Sequence, residues 1–475
     1  MQLFKHQKEG FRLGMLGNRA FFWECGTGKS CMGLTLIRWH KLKGRGPAIV
    51  ICPLSIIESA WIEDCEKFTP DLSIVSLWSR KPSERYKRLL EQHDVYVANY
   101  ETFKSLYEQI VNKEFEIIIV DESSKMKDPR SQITKALMSL AGFGPLYKTR
   151  KNPYCRKEPI PWRYVLSGTP APNDESEYHQ QIKFISGTGN ECFDDNFYSF
   201  RGRYFRKIPL GLTGQNRYEF YKHMRDEFMD AMKPVTHVVR KADALDLPQQ
   251  FHEIRKVYLS PREQNAYEIL KTELLLEYAG QTVLARTALT EVMKLRQLTS
   301  GFAYTDTGII QVGQSKVKEL KELLEEIGGH QVIIWANFKY EIKQLLKELP
   351  NSRALWSETA DREKTIADFK AGKFQYLIAN PQSAGHGLTF TNCRYAIYFS
   401  LNYSYELHKQ SQDRIHRIGQ KYNTTYFYLL ADKTIDEVIY KAVQKKEDLS
   451  SAILEFLRNS NANKKQKHKE SVSAG

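Results

Sequence analysis

Three groups of residues in this chain have the types and spacing to do chemistry. The first is Gly26-Thr27-Gly28-Lys29-Ser30. Glycines at 26 and 28 let the backbone curl with its N–H groups pointing inward, and a helix starting at Lys29 aims its positive end at the same spot. An anion suits such a cradle. Lys29 can reach the outer phosphates of a nucleotide, and the Ser30 hydroxyl can ligate the magnesium ion that bridges them. The expected nucleotide contacts here are Gly26, Thr27, Gly28, Lys29 and Ser30. The full pattern also asks for a glycine five residues before Gly28, where Trp23 stands. Taken alone, so short a match also fits an ordinary loop.

The second group is Asp121-Glu122, two carboxylates at the tip of the apolar run Ile117 to Val120. Beside a nucleotide, Asp121 can hold magnesium and Glu122 can polarise the attacking water. Standing alone, two acids after a strand also read as a loop opening. The third group is Arg414 and Arg417, three apart in a segment expected to be helical and so expected to share a face. Paired guanidinium groups can neutralise charge building on a transferring phosphoryl group. Two arginines on a helix are also commonly just solvated.

The elements that must position these groups follow from apolar periodicity. Ala20 to Phe22, Ala48 to Cys52, Val95 to Ala98, Glu116 to Val120 and Arg163 to Ser167 are short apolar runs of the kind buried in a parallel sheet. They alternate with helical patterns, which predicts a doubly wound α/β fold. Ser55 and Asn99 then fall at carboxyl ends of strands, where open α/β sheets bind ligands. A second alternation runs through helices from Glu263 to Tyr278 and Lys316 to Ile327, and strands from Gln331 to Trp335 and Tyr376 to Asn380. Upstream of the glycine loop, Gln7 carries both a donor and an acceptor and can read the edge of adenine, although a surface glutamine is the plainer reading.

The 475 residues predict two or three domains, and 41% hydrophobic with 27% charged residues is a globular composition. No apolar run is long enough to span a bilayer, and the first residues lack a signal-peptide layout, so the expectation is an intracellular protein without a membrane partner. Seven cysteines form no metal-like or paired spacing, which fits a reducing compartment. Lys and Arg outnumber Asp and Glu by 70 to 56, for a net charge of +14. That is the footprint of a polyanion binder, and equally of a solvated basic face. The basic stretch from Lys148 to Lys157 divides the same way between a phosphate contact and a solvated loop. Aromatics interleaved with arginines at 197–205 are better suited to core packing than to nucleic acid.

The order of motifs resembles the Swi/Snf-type ATPases of helicase superfamily II. The matching stretches are HQKEG at 6–10, ECGTGKS at 24–30, ICPLSIIESAW at 51–61, VANYE at 97–101, IIIVDESSKMKD at 117–128, LSGTPAPND at 166–174, SAGHGLTF at 383–390 and QSQDRIHRIGQ at 410–420. The resemblance implies two tandem RecA-like lobes, at 1–175 and 246–457, a helical insertion and hinge at 176–245, and a basic tail at 458–475. It implies ATP and Mg2+ as cofactors, with His6, Gln7 and Gly387 at the nucleotide, Ser30 and Asp121 at the metal, and Gln410, Arg414 and Arg417 joining Lys29, Asp121 and Glu122 in catalysis. Ser55, Asn99, Thr169, Ser383 and Thr389 are its nucleic-acid contacts. The implied function is ATP-dependent translocation along double-stranded DNA, with remodelling of DNA or DNA-bound proteins, by a compact monomeric motor of phage or prokaryotic type in the cytoplasm. An RNA or single-strand helicase, or an ATP-switched DNA-binding module with little turnover, are the other readings. Two positions depart from the family: Ser124 where it usually has His, and Phe4 where arginine is common.

Overall fold

Runs of isoleucine and valine with no polar interruption can be covered only from both sides. The computed structural model places them at the centre of two parallel sheets. It describes residues 3–445 apart from 146, 151, 156–157, 187–191, 195, 210–215, 278–284, 307 and 385–387, so Gly387 and the 458–475 tail lie outside the described residues. By its internal contacts the chain divides into two units, with the boundary in sequence between Asp246 and Leu247.

In the first unit the strands are β1 (Arg19–Trp23), β2 (Ala48–Cys52), β3 (Ile74–Ser76), β4 (Val95–Asn99), β5 (Ile117–Asp121) and β6 (Trp162–Ser167). A hairpin of β7 (Phe205–Pro209) and β8 (Asn216–Phe220) follows, then β9 (Thr236–Val239). The sheet order is β3-β4-β2-β5-β6-β1-β9, with every pairing parallel. All carboxyl ends therefore lie along one edge, which gathers the glycine loop, Ser55, Asn99, Asp121 and Ser167. Successive residues face opposite sides. Phe22, Ile51, Ile118 and Val120 enter one buried cluster, and Phe21, Val50, Ile117 and Ile119 the other. Each such side chain contributes about 1.5–3 kcal/mol by leaving water.

Residues 176–245, expected as a helical insertion, are only partly helical. They hold helices Tyr178–Ser186, Phe197–Tyr204 and Arg225–Met232, but also the β7–β8 hairpin and β9, the seventh strand of the sheet. The aromatics of this segment serve packing: Phe193, Phe200, Tyr204, Phe205 and Phe228 belong to the same core as Ile118. Arg201 lies over the Tyr218 ring at 3.7 Å.

The second unit has β10 (Gln250–Val257), a β11 (Phe302–Thr305) and β12 (Gly308–Gln311) hairpin, β13 (Val332–Trp335), β14 (Ser352–Leu355), β15 (Tyr376–Ala379), β16 (Tyr395–Tyr398) and β17 (Thr424–Ala431). The order β10-β17-β16-β13-β15-β14 is again wholly parallel. Both units have the architecture of RecA-like lobes, as expected.

A buried histidine ties the first unit's stability to pH. The Arg45 guanidinium donates to His40 Nδ1 at 2.7 Å, so His40 Nε2–H donates to the Tyr164 hydroxyl at 2.9 Å, which in turn donates to the Gly14 carbonyl. Burial, with the Arg45 charge added, holds this imidazole down to about 3. The unfolded chain protonates histidine near 6.5, so between those values the folded state binds fewer protons. Stability present above about pH 6.5 is therefore lost as the pH falls towards 3, by up to about 1.4 kcal/mol per pH unit. The urea midpoint should fall between pH 7 and 5, and His40→Gln should make that fall shallower; equal slopes would contradict the assignment.

Candidate active site

The glycine loop leaves β1 at Trp23, which is still extended strand and fully buried. Its indole N–H donates to His237 Nδ1 at 3.1 Å, and a Cβ on Gly10 would lie 2.4 Å from its ring. Position 23 thus faces the first helix, α1 (Lys5–Met15), and needs no glycine. The curl begins later, where Gly26 (φ +83°) and Gly28 (φ +82°) adopt the left-handed region. Gly28 also caps α2 (Lys29–Leu42), whose positive end completes an anion cradle.

Side chains lace this loop in place. The Thr27 hydroxyl donates to the Glu24 carbonyl at 2.8 Å, and Lys29 Nζ to the Trp23 carbonyl at 2.9 Å. His6 Nε2 lies 2.8 Å from the Thr27 carbonyl. Gln7 accepts from the Phe4 N–H at 2.9 Å and donates to the Gly28 carbonyl at 3.2 Å. Both ends of Gln7 thus bond the chain's own backbone once, which fixes the amide while leaving one N–H and one lone pair for the edge of adenine. The loop also abuts the β6 turn: a Cβ on Gly168 would stand 2.6 Å from Cys25 Sγ and 3.4 Å from Lys29 Nζ.

Asp121 ends β5 and is buried. Its Oδ1 accepts from the Glu122 N–H at 2.9 Å, and its Oδ2 from the Trp61 indole at 3.1 Å. Burial, then the Glu122 charge, pushes the Asp121 carboxyl up to about 6, while the Lys29 charge pulls it down. Glu122 takes a left-handed conformation (φ +52°, ψ +53°), costly for a side chain with a Cβ, and the Tyr100 hydroxyl bonds the Asp121 and Glu122 carbonyls at 2.7 and 3.1 Å. Ser30 Oγ donates to Asp64 Oδ2 at 2.9 Å. Among the described residues no group of three or more His, Cys, Asp or Glu forms a metal cage. A serine hydroxyl and a carboxylate beside a phosphate cradle fit magnesium, which keeps most of its positions for phosphate and water.

Of the expected nucleic-acid contacts on this edge, Ser55 is exposed on the short turn Leu54–Ile56. Asn99 is half-buried, and its side-chain oxygen caps the next helix by accepting from the Thr102 N–H at 3.2 Å. Thr169 does not fit the expectation: it is buried, its N–H bonded to Ser167 Oγ at 3.2 Å, because the Ser167-Gly168-Thr169 turn folds against the glycine loop. In the 148–157 stretch, Lys148 pairs with Glu108 at 2.9 Å and Tyr154 packs edge-on to Tyr107, while Lys151, Arg156 and Lys157 lie outside the described residues.

In the second unit, helix Tyr405–Gln412 carries Gln410, which donates to Glu406 at 3.2 Å. Arg414 and Arg417 are not on that helix, contrary to expectation. It stops at Gln412, whose carbonyl accepts from the Tyr426 hydroxyl at 2.8 Å, and turns follow to Gly419 (φ +99°). The turns are anchored where the Arg414 carbonyl accepts from the Phe390 N–H at 2.8 Å and where His416 Nε2 lies 2.7 Å from the Pro248 carbonyl. Arg414 is buried and Arg417 half-buried. Ser383 is half-buried, its N–H bonded to Asn380 Oδ1 at 3.2 Å and its carbonyl to Arg362, and Thr389 is half-buried beside Phe390.

Residues 13–143 match the SNF2-related domain, and residues 315–419 match the helicase conserved C-terminal domain. These two matches bear out the resemblance to the Swi/Snf-type ATPases of helicase superfamily II. It is 26% identical over 450 residues to putative protein p41 of Acyrthosiphon pisum secondary endosymbiont phage 1, covering 91% of this chain and 93% of that one. It is also 26% identical over 457 residues to the Caenorhabditis elegans homolog of SWI/SNF-related matrix-associated actin-dependent regulator of chromatin subfamily A-like protein 1. That match takes in 94% of this chain but only 61% of the worm protein. Among solved structures, the Sulfolobus solfataricus SWI2/SNF2 ATPase core in complex with dsDNA aligns with 22% identity and a TM-score of 0.42, over 94% of this chain and 91% of that one.

The histidine usual in those ATPases after Asp121-Glu122-Ser123 is replaced here by Ser124, which is buried. A different path joins the carboxylate strand to the Ser-Gly-Thr turn. Ser123 Oγ donates to Gln181 Oε1 at 2.6 Å, and Gln181 Nε2 donates to the Pro170 carbonyl at 2.6 Å and the Glu177 carbonyl at 2.9 Å. Gln181, together with Trp61 and Asp64, escaped the sequence reading. For the last two a signal existed: they are three apart just after a strand, and so share one helix face.

Proposed function

We propose that the protein hydrolyses ATP and uses the hydrolysis to move along double-stranded DNA, remodelling the DNA or proteins bound to it. The observation that carries this reading is the gathering of Lys29, Ser30, Asp121 and Glu122 at the carboxyl edge of one sheet. Lys29 and the loop N–H groups hold the outer phosphates, Ser30 and Asp121 hold magnesium, and Glu122 orients the water that attacks the γ-phosphorus as ADP leaves. A magnesium ion held by Ser30 and Asp121 would supply positive charge to offset that of the phosphates. Gln410, Arg414 and Arg417 are the second unit's catalytic candidates, since a guanidinium can offset charge that grows on the phosphoryl group in the transition state.

Duplex DNA as the track is supported by the resemblance to that family, by the net charge of +14, and by Ser55 and Asn99 on the sheet edge. Ser383 and Thr389 are assigned as the second unit's contacts with the track. A monomeric motor in a reducing cytoplasm, bacterial or phage-infected, suits seven cysteines that form no disulfide among the described residues. ATP turnover measured with duplex DNA, single-stranded DNA and RNA tests the track. The duplex should stimulate most; a preference for RNA or single strands would replace this reading with a strand-tracking helicase.

A further inference from the structure

A single stretch of helix touches both residues assigned to magnesium. After β2 and the exposed turn with Ser55, the chain makes a wide π-type turn over Ile57–Ile62 and continues as a helix over Glu63–Phe68. Wide turns of this kind recur at functional sites because they re-aim side chains. Here they aim two. Trp61, fully buried, donates its indole N–H to Asp121 Oδ2 at 3.1 Å, and Asp64 accepts the Ser30 hydroxyl proton at 2.9 Å. Trp61 also packs closely on α2: a Cβ on Gly33 would lie 3.1 Å from its ring.

The hydrogen-bond inventory gives these contacts a consequence. A serine hydroxyl has one proton and two lone pairs. With its proton donated to Asp64, Ser30 has only lone pairs to present elsewhere, which is what a cation requires. The Asp121 carboxylate has one oxygen held by Trp61 and the other by the Glu122 N–H, so its plane is set while further lone pairs stay available. We propose that Trp61 and Asp64 are positioning residues that hold Asp121 and Ser30 in the orientation that accepts Mg2+, and that the helix carrying them links the Ser55 turn to the metal side of the site. This rests on the ATPase reading above and adds to it a route from the DNA edge to the metal ligands.

The test is a titration of Mg2+ into the full chain with a fluorescent, non-hydrolysable ATP analogue, with parallel binding in EDTA. Trp61→Phe removes the N–H and keeps an aromatic ring; Asp64→Ala removes the acceptor, and Asp64→Asn restores one. The Mg2+ midpoint should rise about 10- to 100-fold in Trp61→Phe and Asp64→Ala, as loss of groups that orient metal ligands commonly does. Asp64→Asn should recover much of it, and the EDTA affinity should stay within about twofold of the parent. Unchanged Mg2+ midpoints, or equal losses with and without Mg2+, would overturn the positioning role while leaving the ATPase reading intact. If Trp61→Phe does not fold, the two Asp64 variants decide. Should the parent chain itself show no Mg2+-dependent binding, unaffected by Lys29→Ala, the ATPase reading and the inference fail together.

Discussion

Glu122→Gln should lower ATP turnover by at least about a hundredfold while leaving nucleotide binding near that of the parent. The substitution keeps the side chain's shape but removes the charge to which the proposed mechanism gives the orienting of water. The structure gives reasons to expect the effect to be chemical rather than structural. Glu122 is held in a left-handed conformation that glutamine occupies at similar cost, and the Tyr100 hydroxyl fixes the backbone on either side through the Asp121 and Glu122 carbonyls. Turnover and analogue binding, measured on the same preparation, separate the two effects. Unchanged turnover would favour a DNA-binding module that ATP switches without appreciable hydrolysis.

Arg417→Ala should produce a loss of similar size, again at least about a hundredfold in kcat, and Arg417→Lys should not restore it. A guanidinium can make two parallel bonds to phosphoryl oxygens, which an ammonium cannot imitate. The turn that carries Arg417 is built to hold it, since the His416 contact with the Pro248 carbonyl and the positive φ of Gly419 fix its two sides. Nucleotide affinity, supplied mainly by the first unit's glycine loop, should change little. A kcat within tenfold of the parent would remove Arg417 from the chemistry.

The sequence reveals these sites unevenly, for physical reasons. Strands buried on both faces must be continuous apolar runs, so β2, β4, β5 and β6 are legible, and with them the carboxyl edge on which Lys29 and Asp121 meet. The edge strand β9 is not legible, because Thr236, His237 and Val238 are partly exposed and show no apolar run. Trp23 looks like a defect in a phosphate loop until the structure shows it to be strand, with Gly10 making room for its indole. Spacing alone suggests a helix under Arg414 and Arg417; the helix ends at Gln412 and turns carry both arginines, held by the long-range bond of the Arg414 carbonyl with the Phe390 N–H, which no local pattern reports. Thr169 is a nucleic-acid contact only by resemblance, and nothing local in the sequence reports that its turn packs against the glycine loop. The bond of Ser123 with Gln181 spans 58 residues and leaves no local periodicity to read.

Displacement of a third strand from a duplex, followed with ATP, with a non-hydrolysable analogue and with the Glu122→Gln variant, tests the coupling of hydrolysis to movement most directly. ATP should strip the third strand from the parent protein's track, while the analogue and the variant leave it in place. Displacement that proceeds equally with the analogue, or brisk ATP hydrolysis on duplex DNA with the third strand undisturbed, would contradict a translocating motor.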